Sequence, residues 1–321
     1  MSRHFENPKV EGTEWRSHGH EPFVYRAQQP NDLLGVHAEV IASGLRPGEP
    51  LRYLLYSPIW EGQNAPFGIS AEPASHALAV AEDRFLISRN PHVEGIEPTL
   101  QVIPFDQVLL VEVGTAHFLG WFSIQFARGG KAHRLSMLFT AMGVEHFQAA
   151  VREYRTVDAE VHPGGVVRER PPWRQIWQKV PKPQAVGIEP LIAKGESALG
   201  VVRTSQSWGI RKRLWREVAV CLSCDGVLIP TNLGLIYAAD EKPLTPESRA
   251  YAVNVSCLPR HAVAAATIRH GLGHSALLGR LRLELRRGRV TAPFDLSFDE
   301  RATKRIVAAA GLFGLDTIRY H

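Results

Sequence analysis

One stretch of the chain, Leu119 to Tyr154, returns 159 residues later as Leu278 to Phe313 without a gap. Each copy opens on Leu-Gly, at Leu119-Gly120 and Leu278-Gly279. Alternating apolar positions follow: Phe122, Ile124 and Phe126 in one copy, Leu281, Leu283 and Leu285 in the other. Each copy turns at a glycine among basic residues, Arg128-Gly129-Gly130-Lys131 or Arg287-Gly288-Arg289. A second alternating run comes next, Leu135, Met137 and Phe139 against Phe294, Leu296 and Phe298. The spacing then changes to three and four, through Val144, Phe147, Val151 and Tyr154, matched by Thr303, Ile306, Ala310 and Phe313. Only 7 of 33 positions are identical between 119–151 and 278–310, so identity alone is weak. The stronger sign is the change from period 2 to period 3.6 at the same place in both copies. It describes a strand–turn–strand–helix unit used twice.

The duplication reaches upstream. Pro47-Gly48-Glu49 precedes a strand over 51–56, and Lys194-Gly195-Glu196 precedes one over 198–204. A hairpin over 76–88 is matched by 226–237, and Ile103-Pro104 by Leu258-Pro259. The expected organisation is an arm and short helix over 1–44, a first domain over 45–156, a proline- and tryptophan-bearing linker over 157–187, and a second domain over 188–321. Asn31-Asp32 is expected to cap a helix over 33–43 that Gly44 ends. Inside the linker, Trp173, Ile176 and Trp177 stand at helical spacing after Pro171-Pro172, which predicts a short helix docked between the domains. Ser297-Phe-Asp-Glu300 reads as a capping box for the second closing helix. The first has no such box, so its start is expected to fray.

Hydrophobic residues make up 45% and charged residues 21%, a globular rather than a disordered composition. No apolar run reaches the roughly 18–20 residues of a membrane helix, and the opening residues lack the apolar core of a signal peptide. Three cysteines agree with a reducing compartment. The expectation is a cytoplasmic protein, with peripheral attachment at the inner membrane face as the alternative. Cys221 and Cys224 lie on a strand entering an Asp225-Gly226 turn. Residues three apart on a strand face opposite sides, so these thiols read as structural. There is no nucleophile elbow, P-loop, zinc-protease or complete dinucleotide motif. His18 and His20, like His270 and His274, lack a complementary set of ligands. No catalytic residue, metal or cofactor is therefore expected.

Four features occur in the same order in each copy: the Gly-Glu turn, the hairpin, the Leu-Gly strand pair and the closing helix. In this order the chain resembles the bacterial pleckstrin-homology-like (PH-like) domains and the related GRAM domains, in tandem over about 45–155 and 190–314. The resemblance implies a mainly β fold: two partly open antiparallel barrels, each capped by a C-terminal α-helix. It also implies binding rather than catalysis. The leading expectation is an intracellular adaptor acting through contacts with another protein. Peripheral binding to anionic lipid headgroups is the alternative, and an enzyme assembled from distant loops comes third.

Charge is uneven between the copies. Residues 33–156 carry 9 basic and 12 acidic groups, whereas 187–321 carry 19 and 12. Basicity therefore belongs to the second copy and not to the repeat. Arg211, Lys212, Arg213 and Arg216 cluster in what reads as the loop after its first strand. The resemblance makes this the place where lipid-binding members of the fold carry their basic residues. Arg280, Arg282 and Arg286 alternate on one strand face, with Leu281, Leu283 and Leu285 on the other. The equivalent first-copy positions, Trp121, Ser123 and Ala127, are uncharged. These seven basic residues are the candidate site for an anionic partner, and a merely solvated strand face is the alternative for the last three. Nucleic acid is the weaker option, because the patch is short and aromatics are not interleaved at base-stacking intervals.

Overall fold

A computed structural model describes residues 23–60, 64–162, 171–213, 216–241, 252–270, 278–312 and 318–320. The protein is mainly β, built from several antiparallel sheets. The chain begins with β1 (Tyr25–Arg26), α1 (His37–Gly44), β2 (Tyr53–Ser57) and the two-residue strands β3 (Asn64–Ala65) and β4 (Ile69–Ser70). It continues through β5 (Ser75–Val80), β6 (Arg84–Asn90) and β7 (Thr99–Pro104). A 3-10 turn, Phe105–Gln107, leads to β8 (Val108–Ala116), β9 (Leu119–Arg128), β10 (Lys131–Thr140) and α2 (Val144–Val161). After α3 (Trp173–Trp177) and α4 (Lys182–Ile188) the order recurs. It runs β11 (Val202–Thr204), a hairpin of β12 (Ser207–Arg213) and β13 (Arg216–Ser223) where the first half has β3 and β4, then β14 (Gly226–Pro230), β15 (Gly234–Asp240) and β16 (Ala252–Pro259). The equivalent 3-10 turn, Arg260–Ala262, leads to β17 (Val263–His270), β18 (Leu278–Arg287), β19 (Val290–Asp299) and α5 (Thr303–Leu312). Finally β20 (Ile318–Tyr320) pairs in parallel with β17. No described helix is long and apolar enough to cross a membrane.

The outer sheets are β1-β2-β5-β6-β7 and β19-β18-β17-β20. Between them lies a seven-stranded sheet, β10-β9-β8-β16-β15-β14-β11. It joins the second sheet of the first half to the first sheet of the second half, through an antiparallel ladder from Ala252↔Ala116 to Cys257↔Val111. Among the described residues no sheet closes on itself, so the two barrels expected from the sequence are not seen as such. An unpaired edge is a template for another strand, and here the edge of β8 is taken by β16 of the other half.

Alternation decides where each strand's residues go. Leu78, Phe85 and Ile87 from the first sheet, and Phe122, Ile124 and Phe139 from the second, close on Phe147, Val151 and Tyr154 of α2. The same core continues through Ile176 and Ile188 to Val227, Ile229, Ile236, Val255 and Cys257 on one face of β14–β16. Leu228, Leu235 and Leu258 on the opposite face build a second core with Leu281, Leu283, Leu285, Phe298 and Ile306. With both faces buried, these strands read as nearly continuous apolar runs rather than as alternating ones. On the first half, α1 covers the outer face of the first sheet, where Ile41 meets Leu54, Ala77 and Leu86. On the second half α4 lies against β15 and β16 in the corresponding place.

The repeated Leu-Gly has a packing reason. Gly120 stands opposite Phe139 and Gly279 opposite Phe298. A Cβ on Gly120 would lie 2.2 Å from the Phe139 ring, and one on Gly279 2.4 Å from that of Phe298. The ring covers the bare backbone of the glycine, a known device for glycine in sheets.

Three local expectations differ from what is found. The first helix starts at His37, because Pro30–Asp32 form a 3-10 turn in which the Asp32 carboxylate accepts the Gln28 and Gln29 amides. Gly44 is its last residue but is not a left-handed cap; it packs closely, and a Cβ there would lie 2.8 Å from the end of the Leu100 side chain. Ser297 does not cap α5, since β19 continues past it, opposite Arg280, to Asp299. The Asp299 carboxylate accepts the Arg301 amide at 2.8 Å instead. The tryptophan helix is found as α3. Ile176 is buried, the two indoles stack at 5.1 Å, and Trp173 Nε1 donates to the Glu196 carbonyl at 3.0 Å.

Candidate functional site

Arg211, Lys212, Arg213 and Arg216 lie on paired strands, not in the loop that the sequence predicts. β12 and β13 form a two-stranded sheet with Arg211↔Val218, Lys212↔Glu217 and Arg213↔Arg216 as its last pairs. Leu214 and Trp215, which separate the strands in sequence, lie outside the described residues. The base of the hairpin is fixed by polar contacts. Ser207 Oγ and Ser223 Oγ are 2.7 Å apart, Ser223 Oγ donates to the Ser205 carbonyl at 2.8 Å, and the Gln206 amide donates to Asp225 at 3.0 Å. Cys221, on the same strand, is a buried free thiol.

The second basic group is on β18. Leu281, Leu283 and Leu285 fill the core, while Arg282 and Arg286 are exposed and Arg280 is half-buried. Arg282 makes a bidentate pair with Asp295, at 2.8 and 2.9 Å. The hydrogen bond from Arg282 holds the Asp295 carboxyl below the usual carboxylate range. Arg286 pairs with Glu284 at 2.7 Å. Arg280 stands opposite Arg269 on β17, and its Nε is buried without a hydrogen-bond partner. This face is therefore partly neutralised by its own acids. The hairpin and the arginine strand flank β19, which packs against β13 and pairs with β18. In the first half the corresponding face is covered: Trp121 is buried and donates its indole N–H to Asn254 Oδ1 at 2.8 Å.

Sequence reasoning missed three buried polar clusters. In the first, the two Gly-Glu turns share one geometry. Glu49 accepts the Arg46 amide at 2.8 Å, and Glu196 accepts the Ala193 amide at 2.9 Å, each three residues earlier. Gly48 and Gly195 sit at φ of 72° and 77°, in the left-handed region. An arginine completes each turn. Arg84 binds Glu49 at 2.8 Å and the Gly44 carbonyl at 3.0 Å, while Arg155 binds Glu196 and the Leu191 carbonyl, the latter at 3.0 Å. Arg84 comes from the same half as its glutamate, whereas Arg155 reaches across from α2.

In the second cluster, His37 on α1 places its two ring nitrogens 2.8 Å from Ser88 Oγ and from Ser75 Oγ, and Ser75 also meets His92 Nε2 at 2.6 Å. A serine between imidazoles has the makings of a nucleophile. However, Ser75 is 1% exposed, and both nitrogens of His37 are engaged, so the cluster pins α1 to the sheet. Burial pushes His37 down to about 4 and His76 down to about 3. The third cluster is Asp158, His162 and His261, at the junction of α2 with the second half. Burial pushes the Asp158 carboxyl up, against the pull of His162, Arg287 and Arg155. Asp158 and His162 have the spacing of helix neighbours, but no local pattern could signal His261, because about 100 residues separate the two histidines.

No known protein-family model matches this chain, and no curated protein sequence shows significant similarity to it.

Proposed function

We propose that this chain is a non-enzymatic binding protein of two PH-like units that docks hairpin β12–β13 onto an acidic surface of another protein. The observation that carries this reading is the register of the hairpin, which sets Arg213 directly opposite Arg216, while Lys212 stands opposite Glu217 and Arg211 opposite Val218. Like charges facing each other across a strand pair destabilise it. Charge on an edge also protects against unwanted strand pairing. An acidic partner removes the repulsion, and arginine forms bidentate pairs with carboxylates more readily than lysine does. The arginines of β18 support the hairpin by keeping the neighbouring surface basic, although Asp295 and Glu284 offset two of them.

A second reading is favoured by one feature. Leu214 and Trp215, an apolar pair between Arg213 and Arg216, suit insertion at an anionic lipid surface. Each cation near such a surface contributes about 1 kcal/mol. The two readings separate with the full-length protein and its Arg211→Ala/Lys212→Ala/Arg213→Ala variant. Affinity capture from a host extract is expected to recover a discrete partner with the wild type, lost in the variant and at high salt. Co-sedimentation with anionic but not neutral vesicles, lost in the variant, would replace the protein partner with a membrane. Identical capture by both proteins, with no vesicle binding, would rule out the hairpin as the docking element.

A further inference from the structure

α2 ends where the second half turns between its two sheets, and there the third polar cluster is assembled. Asp158 and His162 lie four residues apart at the end of α2, and His261 lies in the 3-10 turn Arg260–Ala262. His162 Nδ1 is 3.2 Å from Asp158 Oδ1, and His261 Nδ1 is 3.7 Å from Asp158 Oδ2. One ligand atom from each residue lies within 4.8 Å of the other two. A tetrahedral ion with bonds of about 2.0–2.2 Å to nitrogen and oxygen keeps its ligand atoms about 3.4 Å apart. The two separations, which end on different oxygens of the Asp158 carboxylate, lie on either side of that value.

Within the cluster one hydrogen bond forms, between His162 Nδ1 and Asp158 Oδ1, and His261 is poorly satisfied. The 3.7 Å contact is too long for one. His261 Nε2 is buried with no partner, and the two imidazoles lie 4.1 Å apart, centroid to centroid. His261 therefore turns Nδ1 towards Asp158 without a hydrogen bond to it, and a weakly satisfied buried group in a native protein calls for an explanation such as a bound ion. Two guanidiniums stand near. Arg155 is paired with Glu196. Arg287 donates to the carbonyls of Val108 and His261, at 3.1 and 3.3 Å, and so holds the turn that carries His261.

We propose that Asp158, His162 and His261 bind a divalent transition metal ion of the zinc, cobalt or nickel class. The fourth position is open to water, and the ion fastens α2 to the second half. Two imidazoles with one carboxylate suit these ions, whereas magnesium and calcium prefer oxygen ligands. The inference is independent of the docking hairpin.

The full-length protein, stripped with chelator, is titrated with cobalt(II) and zinc(II) by calorimetry, visible absorption and thermal melting. The expected result is one equivalent bound, four-coordinate cobalt bands and a raised Tm. His162→Gln and His261→Gln are each expected to weaken binding by more than about tenfold, while His146→Gln, at the opposite end of α2, leaves it unchanged. The His162 side chain is 36% exposed, so its variant keeps the fold, which circular dichroism checks. No saturable binding to the wild type, or equal binding by the His162→Gln and His261→Gln proteins, would overturn the proposal.

Discussion

Gly279 and Phe298 behave as one unit although the sequence presents them as two motifs. Gly279→Ala drives a Cβ into the Phe298 ring, which is fully buried and has little room to retreat. Overpacking of this kind costs about 1–3 kcal/mol, and urea denaturation of the variant should show it. The same change beside Phe298→Leu is expected to cost less, because the shorter side chain leaves room above residue 279. Additive losses in the double variant would mean that the ring is not the reason for the glycine. Gly120 and Phe139 repeat the arrangement in the first half. The Leu-Gly signature was legible from the sequence as a repeat. The identity of the residue facing it was not, because it depends on strand register.

Elements are pinned by buried polar groups as well as by apolar faces. His37 ties α1 to β5 and β6 through Ser75 and Ser88, and His76 is buried in the same sheet. Both imidazoles have folded pKa values below the unfolded value of about 6.5. The unfolded chain therefore binds protons first on acidification. Stability is full above about pH 6.5 and is lost as the pH falls from there towards about 4 and 3. Each histidine removes on the order of 2 kcal/mol by pH 5. Denaturant midpoints at pH 7.5 and pH 5 test this, and equal midpoints would contradict it. The shorter helices follow a similar logic. α3 was readable from its tryptophan spacing, and α4 was not, because what defines it is the apolar face of β15 and β16 beneath it.

On the scale of the whole molecule the two halves are tied by the β8–β16 ladder, by the core shared through α2, α3 and α4, and by polar contacts that include the Arg155–Glu196 pair. The pair offers the sharpest test. Its side chains are 7% and 0% exposed, so Arg155→Met leaves a carboxylate buried and unpaired. Removing one partner of a buried pair costs about 3–5 kcal/mol, and Arg155→Met/Glu196→Gln should recover much of it. Calorimetry should register the loss in a single transition that takes both halves with it. A loss below about 1 kcal/mol would show that the pair does not couple them.

Local periodicity by itself determined that the chain repeats a strand–strand–helix unit, and the distribution of charged residues that its cations gather in the second half. Those properties are written in neighbouring residues. Tertiary structure alone decided that β8 meets β16, that Arg155 supplies the second Gly-Glu turn with its arginine, and that Asp158, His162 and His261 converge. Each of these joins residues far apart in the chain, and a spacing of two or of 3.6 carries no record of which distant surface a strand edge or helix end will meet.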